Sequence, residues 1–280
     1  MQLRKPFTTS YHTRFPEYLA ARVFPWLRKP VRLAAYAVLR RFHAPSAALM
    51  VATASIERDL QRHRFRRLAR WSRGVDTDLF RPYGKNVAAY EKLARPILLY
   101  VGRVAVEKNI EAFLNAPVPG SKIIIGEGPD FTALKNNYPA AHFFGAMEGE
   151  NLARHYAAAD LFVFPSRTDT FGLVLLEAAA SGLRIAGVPA PGPADLFATT
   201  ATRPFASLDD DLARAIRDAL ALPDDPGLPR RFAEAFSWQA CTQQFLEHLQ
   251  SPTPQAVKRI TRIRRWLRRG WQRALALAFK

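Results

Sequence analysis

Cys241 is the only cysteine in the chain, so no internal disulfide can form and a site built from several thiolates is excluded. A reducing compartment fits that single thiol. No apolar run reaches the roughly 18 residues that a spanning helix needs. The N-terminus, Met1-Gln2-Leu3-Arg4-Lys5-Pro6, runs into polar Thr8-Thr9-Ser10 without the apolar segment of a signal peptide. The expectation is a cytoplasmic protein, free or peripheral on the inner membrane face. Acidic residues are missing altogether from 253–280. Apolar residues are not scarce: they make up 49% of the 280, which rules out disorder and is enough for one large domain or two modest ones.

The formal net charge of +17 is concentrated at the ends. Residues 1–74 hold 16 Lys/Arg against 3 Asp/Glu, residues 75–252 hold 16 against 21, and residues 253–280 hold 9 against none. The middle is an ordinary acidic globular domain, and both ends should be drawn to a polyanion. Projected at 100° per residue, Val257, Ile260, Ile263, Leu267, Trp271, Ala274, Leu275 and Ala278 share one arc, with Lys258, Arg262, Arg265, Arg269 and Arg273 opposite. A helix of that pattern lies in a bilayer interface, drawn to anionic lipid by roughly 1 kcal/mol per basic residue. Arg264 on the apolar face and the helix-weakening Gly270 depart from it. A basic helix packed on its own domain, or a disordered tail, is the competing reading. Nucleic acid is disfavoured, because no array of aromatic stacking positions interleaves with the basic ones.

Between residues 95 and 190 short apolar runs alternate with helical patterns, the mark of parallel βα units. The strands read as Ile97–Gly102, Lys122–Gly126, Ala141–Gly145, Leu161–Pro165 and Arg184–Val188, with helices near 107–116, 130–137, 149–159 and 172–181. Two more helices are expected at 208–222 and 228–250. Continuous apolar strands such as Ile97–Val101 indicate a sheet covered on both faces. That describes a complete Rossmann-like α/β domain over 75–252, whose ligands bind at the carboxyl ends of its strands. Upstream, strands at Phe7–His12, Leu49–Ala52 and Leu68–Trp71 and helices at 17–42, interrupted at Pro25 and Pro30, and at Ser55–Gln61 give only part of a second such domain, over 1–74. Residues 253–280 form the basic tail.

Polar residues gather at the strand-to-helix junctions. Gly102-Arg103-Val104-Ala105-Val106-Glu107-Lys108-Asn109 places a guanidinium and an ammonium at a helix N-terminus. Two cations and a positive helix end are what a diphosphate requires once its water is displaced; the alternative is that both are solvated surface residues. Gly126-Glu127-Gly128-Pro129 is a tight turn that permits close backbone approach, and it lacks the third glycine of a dinucleotide fingerprint. After Phe162–Phe164 comes Ser166-Arg167-Thr168-Asp169-Thr170-Phe171-Gly172-Leu173, with Glu177 eight residues beyond Asp169 in an apolar stretch. Asp169 could be a simple N-cap. Glu177 needs a partner or is costly. The N–H groups of Phe171, Gly172 and Leu173 could receive sugar hydroxyls or phosphate oxygens. His43, His63, His142, His155 and His248 show no metal-ligand spacing.

Taken in order, Gly74-Val75-Asp76-Thr77-Asp78-Leu79-Phe80, the Gly-Arg…Lys-Asn element, Gly126-Glu127-Gly128-Pro129 and Asp169-x7-Glu177 closely resemble the retaining family 4 (group 1) glycosyltransferases of GT-B fold. The similarity is greatest to the subgroup of sulfoquinovosyl and glucosyl diacylglycerol synthases and related mannosyltransferases, and it runs from about Pro6 to about Leu249. The resemblance implies an enzyme that moves a hexose, with retention and without a metal or other cofactor, from a nucleotide-diphosphate sugar to a diacylglycerol-like lipid. A UDP-sugar is expected ahead of GDP-mannose. It implies that Arg103 and Lys108 neutralise the donor diphosphate, that Gly126 and Gly128 and the N–H groups of Phe171, Gly172 and Leu173 border the donor, that Asp169 accepts sugar hydroxyls and that Glu177 holds the ribose. Tyr11-His12-Thr13 resembles the family's active-site histidine element, placing His12 near the scissile bond. The family's first acidic position is usually Glu, so Asp169 is one methylene shorter.

Relative to that family the chain starts at the middle strands of the N-terminal domain, so on the order of 100 residues and the Gly-rich loop are expected to be absent. A truncated nucleotide-sugar-binding remnant with little activity is therefore the second expectation.

Overall fold

The computed structural model describes residues 7–12, 14–21, 23–84, 87–167, 169 and 171–249. The basic tail expected at 253–280 and Thr13 of the histidine element lie outside them. Two compact units result: residues 7–71 with 243–249, and residues 72–242.

The first unit is a parallel sheet of three strands in the order β1 (Thr9–Tyr11), β2 (Leu49–Val51), β3 (Leu68–Arg70), with Thr9 opposite Leu49 and Leu49 opposite Leu68. Between β1 and β2 run α1 (Phe15–Ala21), a short 3-10 turn (Pro25–Leu27) and α2 (Arg28–His43); α3 (Ala54–Arg62) precedes β3. Pro30 does not interrupt α2 as the sequence suggested. It sits in the first turn, where a missing N–H deprives no carbonyl of a partner. Thr53 caps α3 by accepting the Ile56 N–H at 3.4 Å. Tyr36, Leu49, Val51, Ile56, Leu60 and Phe65 form the core. The Tyr36 hydroxyl lies 2.6 Å from Glu17 Oε1 and 2.7 Å from Asp59 Oδ2, so one buried O–H serves two carboxyl groups.

The second unit is a six-stranded, wholly parallel sheet built from β4 (Ile97–Val101), β5 (Ser121–Ile125), β6 (His142–Phe144), β7 (Leu161–Phe164), β8 (Arg184–Gly187) and β9 (Ala206–Leu208). Their spatial order is β6-β5-β4-β7-β8-β9, so the winding direction reverses between β4 and β7. The helices are α4 (Ile110–Leu114), α5 (Phe131–Asn137), α6 (Gly149–Ala158), α7 (Leu173–Ala180), α8 (Pro191–Phe197), α9 (Leu212–Ala221) and α10 (Gly227–Glu234); α11 (Trp238–His248) follows. Every residue of β4 is buried, and Leu98 and Tyr100 share an apolar cluster with Ile110, Phe113, Ala215 and Ile216 from α4 and α9. The expectation of a doubly wound α/β unit holds.

Two elements were not legible. Strand β9 has three residues and no usable alternation, and α8 opens Pro191-Gly192-Pro193, which reads as a turn although proline is compatible with a first helical turn. The helix expected over 228–250 is two helices. The chain breaks where Ser237 bridges to Val75, and the Ser237 hydroxyl then accepts the Ala240 N–H at 3.2 Å to start α11.

Tyr36→Phe keeps the ring and removes the hydroxyl that Glu17 and Asp59 share. Hydrogen bonds to charged groups contribute about 1.5–3 kcal/mol. The expected result is a urea midpoint lowered to match, with an unchanged denaturant slope; an unchanged midpoint would contradict the role given to the hydroxyl.

Candidate active site

In an open parallel sheet the loops on either side of the winding reversal part from each other and leave a crevice at the carboxyl ends of the strands. Here those loops follow β4 and β7. The first contains Gly102, Arg103, Lys108 and Asn109; the second contains Asp169, Phe171 and Gly172.

Two side-chain ties cross between the loops. Asn109, in the left-handed region at φ 54°, ends a 3-10 turn over Val106–Lys108 and donates from Nδ2 to the Pro165 carbonyl at 3.2 Å. Lys108 Nζ lies 2.7 Å from Asp169 Oδ1 and 2.9 Å from Oδ2. Both side chains are mostly covered, 22% and 25% exposed, so the pair is less screened than a surface ion pair. Asp169 is thus not the N-cap it could have been. Gly172 takes that position at φ 78° and offers no side-chain cap, while the Leu175 N–H turns back to the Gly172 carbonyl at 3.0 Å. Arg103 is exposed and turned to Glu107, 3.6 Å away. Lys108 and Asp169 are therefore brought together, and Arg103 stands on the same loop with a different partner.

Gly126 and Gly128 do allow a close approach, and what approaches is the chain's own backbone. A Cβ on Gly126 would lie 2.0 Å from the Gly102 carbonyl oxygen, and one on Gly128 2.0 Å from that of Val104. Backbone bonds from Gly102 to Ile125 (3.0 Å), Val104 to Glu127 (2.8 Å) and Asp130 to Val104 (3.2 Å) lock the glycine turn against the Arg103 loop. The glycines fix the shape of the site's floor.

Glu177 lies half-buried on α7 and accepts a hydrogen bond from the Tyr156 hydroxyl at 2.8 Å. This is the partner its apolar surroundings called for. Burial pushes the Glu177 carboxyl above the ordinary carboxylate range, and the Tyr156 bond pulls the other way. The Tyr156 hydroxyl, wholly buried beside that carboxyl, is itself held well above the usual phenol range, first by burial.

The start of α8 also belongs to the site and was not foreseen. The Gly192 N–H donates to the Asp169 carbonyl at 3.1 Å, and a Cβ on Gly192 would lie 2.9 Å from the Phe171 nitrogen. The only signal was a glycine between two prolines. Phe171 is buried and Leu173 is exposed. His12 belongs to the other unit, at the end of β1, with Nε2 2.6 Å from Ser10 Oγ and its ring edge-on to Trp71 at 6.1 Å. Among the described residues no group of three or more His, Cys, Asp or Glu could hold a metal ion.

A parallel sheet with a charged crevice at its winding reversal defines a Rossmann-like α/β unit, and the solved structures it resembles specify the architecture. Sucrose-phosphate synthase from Thermosynechococcus elongatus superposes with a TM-score of 0.69 at 24% identity, covering 86% of this chain and 66% of that one. Anabaena Alr3699/HepE, solved with UDP and glucose, superposes at 0.66 and 15% identity, covering 88% and 72%. These are GT-B folds. Residues 95–221 match the family described as Glycosyl transferases group 1. Sulfoquinovosyl transferase SQD2 of Arabidopsis thaliana is 34% identical over 209 residues, 70% of this chain and 40% of that protein. A GDP-mannose-dependent alpha-mannosyltransferase of Mycolicibacterium smegmatis is 32% identical over 227 residues, 78% and 60% respectively. The chain belongs to the group 1 glycosyltransferases. It spans about half the length of the curated relatives it matches, between 40% and 60% for these two.

Two outcomes follow from the geometry. Gly128→Ala forces a Cβ into the Val104 carbonyl, and the expected destabilisation is about 1–3 kcal/mol, read from thermal unfolding; a wild-type midpoint would show that the turn can move aside. For Glu177, a folded-state pKa above the unfolded one means that the protonated form is favoured in the fold. That stabilisation is complete below the unfolded value of about 4.3 and is lost as pH rises through the folded value, so the charged carboxylate opposes folding at neutral pH. Glu177→Gln is expected to raise the melting temperature at neutral pH and to converge with wild type in acid. A lower melting temperature at neutral pH would contradict the burial argument.

Proposed function

We propose that the chain transfers a hexose, with retention, from a nucleotide-diphosphate sugar to a diacylglycerol-like lipid at the cytoplasmic face of a membrane. The observation that carries this reading is the Lys108–Asp169 ion pair across the winding reversal, beside the uncapped start of α7. A donor diphosphate entering there would replace the carboxylate as the partner of Lys108, with Arg103 swinging from Glu107 to share the charge. The released Asp169 would accept hydroxyls of the sugar. The N–H groups of Phe171, Gly172 and Leu173 suit the phosphate oxygens or the sugar. Glu177, ready to accept hydrogen bonds on its half-exposed side, suits the ribose hydroxyls, and His12, from the resemblance of its element, is the group assigned to the scissile bond.

In this reading the bond between the sugar's anomeric carbon and the diphosphate breaks as the acceptor oxygen bonds to the same face. The acceptor's proton passes to the departing phosphate oxygen, so the enzyme supplies position and charge stabilisation. No metal is required for the charge balance when two cations and a helix N-terminus face the diphosphate. UDP is ranked ahead of GDP, and the relatives whose names specify GDP-mannose make the guanine nucleotide the competitor to test. The lipid acceptor rests on the resemblance to the diacylglycerol synthases, and the membrane on the sequence pattern of 253–280. Among the described residues no helix is long and apolar enough to cross a membrane.

Calorimetric titration with UDP, UDP-glucose and GDP-mannose tests the donor, and turnover on diacylglycerol vesicles tests the acceptor. Lys108→Ala should lower the turnover rate on the order of 10²–10³-fold, the effect of losing one preorganised charge-stabilising donor. Binding by none of the three nucleotides would overturn the proposal. Binding without turnover would leave a nucleotide-sugar-binding protein in its place.

A further inference from the structure

The unit of residues 7–71 and 243–249 contains a cavity of about 690 Å³ between the end of α2 and the loop joining α3 to β3. Five arginines line it, Arg40, Arg41, Arg64, Arg66 and Arg67, and among the described residues no carboxylate does. The three acidic side chains of residues 1–74 are engaged elsewhere: Glu17 and Asp59 share the Tyr36 hydroxyl, and Glu57 holds Arg70 at 2.6 Å. Arg67 is committed to the Ser46 and Ala44 carbonyls at 2.8 and 3.4 Å, closing off the negative end of α2, and Arg40 to the His63 carbonyl at 3.1 Å. The side chains of Arg64 and Arg66 make no hydrogen bond or ion pair among the described residues.

Arg64 also sits where the backbone favours another residue. Its N–H bonds to Gln61 O at 2.9 Å and the Phe65 N–H bonds to Leu60 O at 3.0 Å, the paired bonds of a helix end that turns left-handed. Glycine is the residue that such a turn favours, yet the chain places arginine there at φ 64°. A strained, unopposed guanidinium at the lip of a basic cavity points to a ligand. Phe65 is buried beneath, and Val38, exposed on α2, lines the same cavity.

We propose that this cavity binds a phosphate group, carried either by an anionic lipid headgroup or by a soluble phosphate, with Arg64 and Arg66 as its principal donors. Guanidinium forks match phosphate oxygens two at a time, and Arg40, Arg41 and Arg67 add charge around them. The site is lined by residues of the first unit alone, and the proposal does not depend on the function proposed for the second.

The test uses the full chain and three variants: Arg64→Gly, Arg66→Gln and, as a control for diffuse charge, Arg62→Gln on the exposed end of α3 outside the cavity. Binding is measured to phosphatidylglycerol-containing vesicles by flotation and to inorganic phosphate by calorimetry. Arg64→Gly and Arg66→Gln should each weaken binding about fivefold in at least one arm, the factor corresponding to roughly 1 kcal/mol per basic residue. Arg62→Gln should bind as wild type. Arg64→Gly should keep or raise the thermal midpoint, since it relieves the left-handed strain, which separates lost binding from lost folding. Response in the vesicle arm alone assigns a lipid headgroup; response in the phosphate arm assigns a soluble ligand. Equal losses for all three variants, or no loss with either probe, would overturn the proposal.

Discussion

Lys108 and Asp169 are 61 residues apart in the chain and meet within 2.7 Å because the sheet's winding reverses between the strands that precede them. Each group would be expensive to cover alone, and each makes the position of the other affordable. Remove the partner and a mostly covered charge stands uncompensated at the mouth of the crevice. In the proposed reaction this pair would exchange partners, an incoming anion substituting for the carboxylate.

The rigidity behind that pair comes from backbone. Gly126 and Gly128 press the second βα turn against the first so closely that a single methyl group at either would meet a carbonyl oxygen. Gly192 does the same for α8 against Phe171. The side chains that carry charge are thus mounted on loops whose positions are set by close contact between main chains, whereas Glu177, on a regular helix, is fixed by Tyr156. Keeping Glu177 acidic within an apolar helix acts against stability, a pattern expected where a group is retained for what it binds.

Much of this was legible in the sequence because its signals are local. Continuous apolar runs marked β4, β7 and β8, and the clustering of Arg103, Lys108, Asp169 and Glu177 at junctions after strands marked the crevice. The pairing of Lys108 with Asp169 was not legible, since it depends on the strand order β5-β4-β7, which no local pattern encodes. For the same reason Tyr156 was not anticipated as the partner of Glu177. Strand β9 and helix α8 escaped because one is too short to show a period and the other begins with residues that ordinarily mark turns. Ser237 looked like an interior helix residue until its bridge to Val75 showed why the helix must restart there.

The central claim is that the crevice at the winding reversal recognises a diphosphate through Lys108. Calorimetry with uridine, UMP and UDP on the wild-type chain and on Lys108→Ala tests it most directly. The account predicts affinity rising steeply from uridine to UDP in wild type, with most of that rise lost in the variant. Equal affinities for uridine and UDP, or an undiminished rise without Lys108, would contradict it.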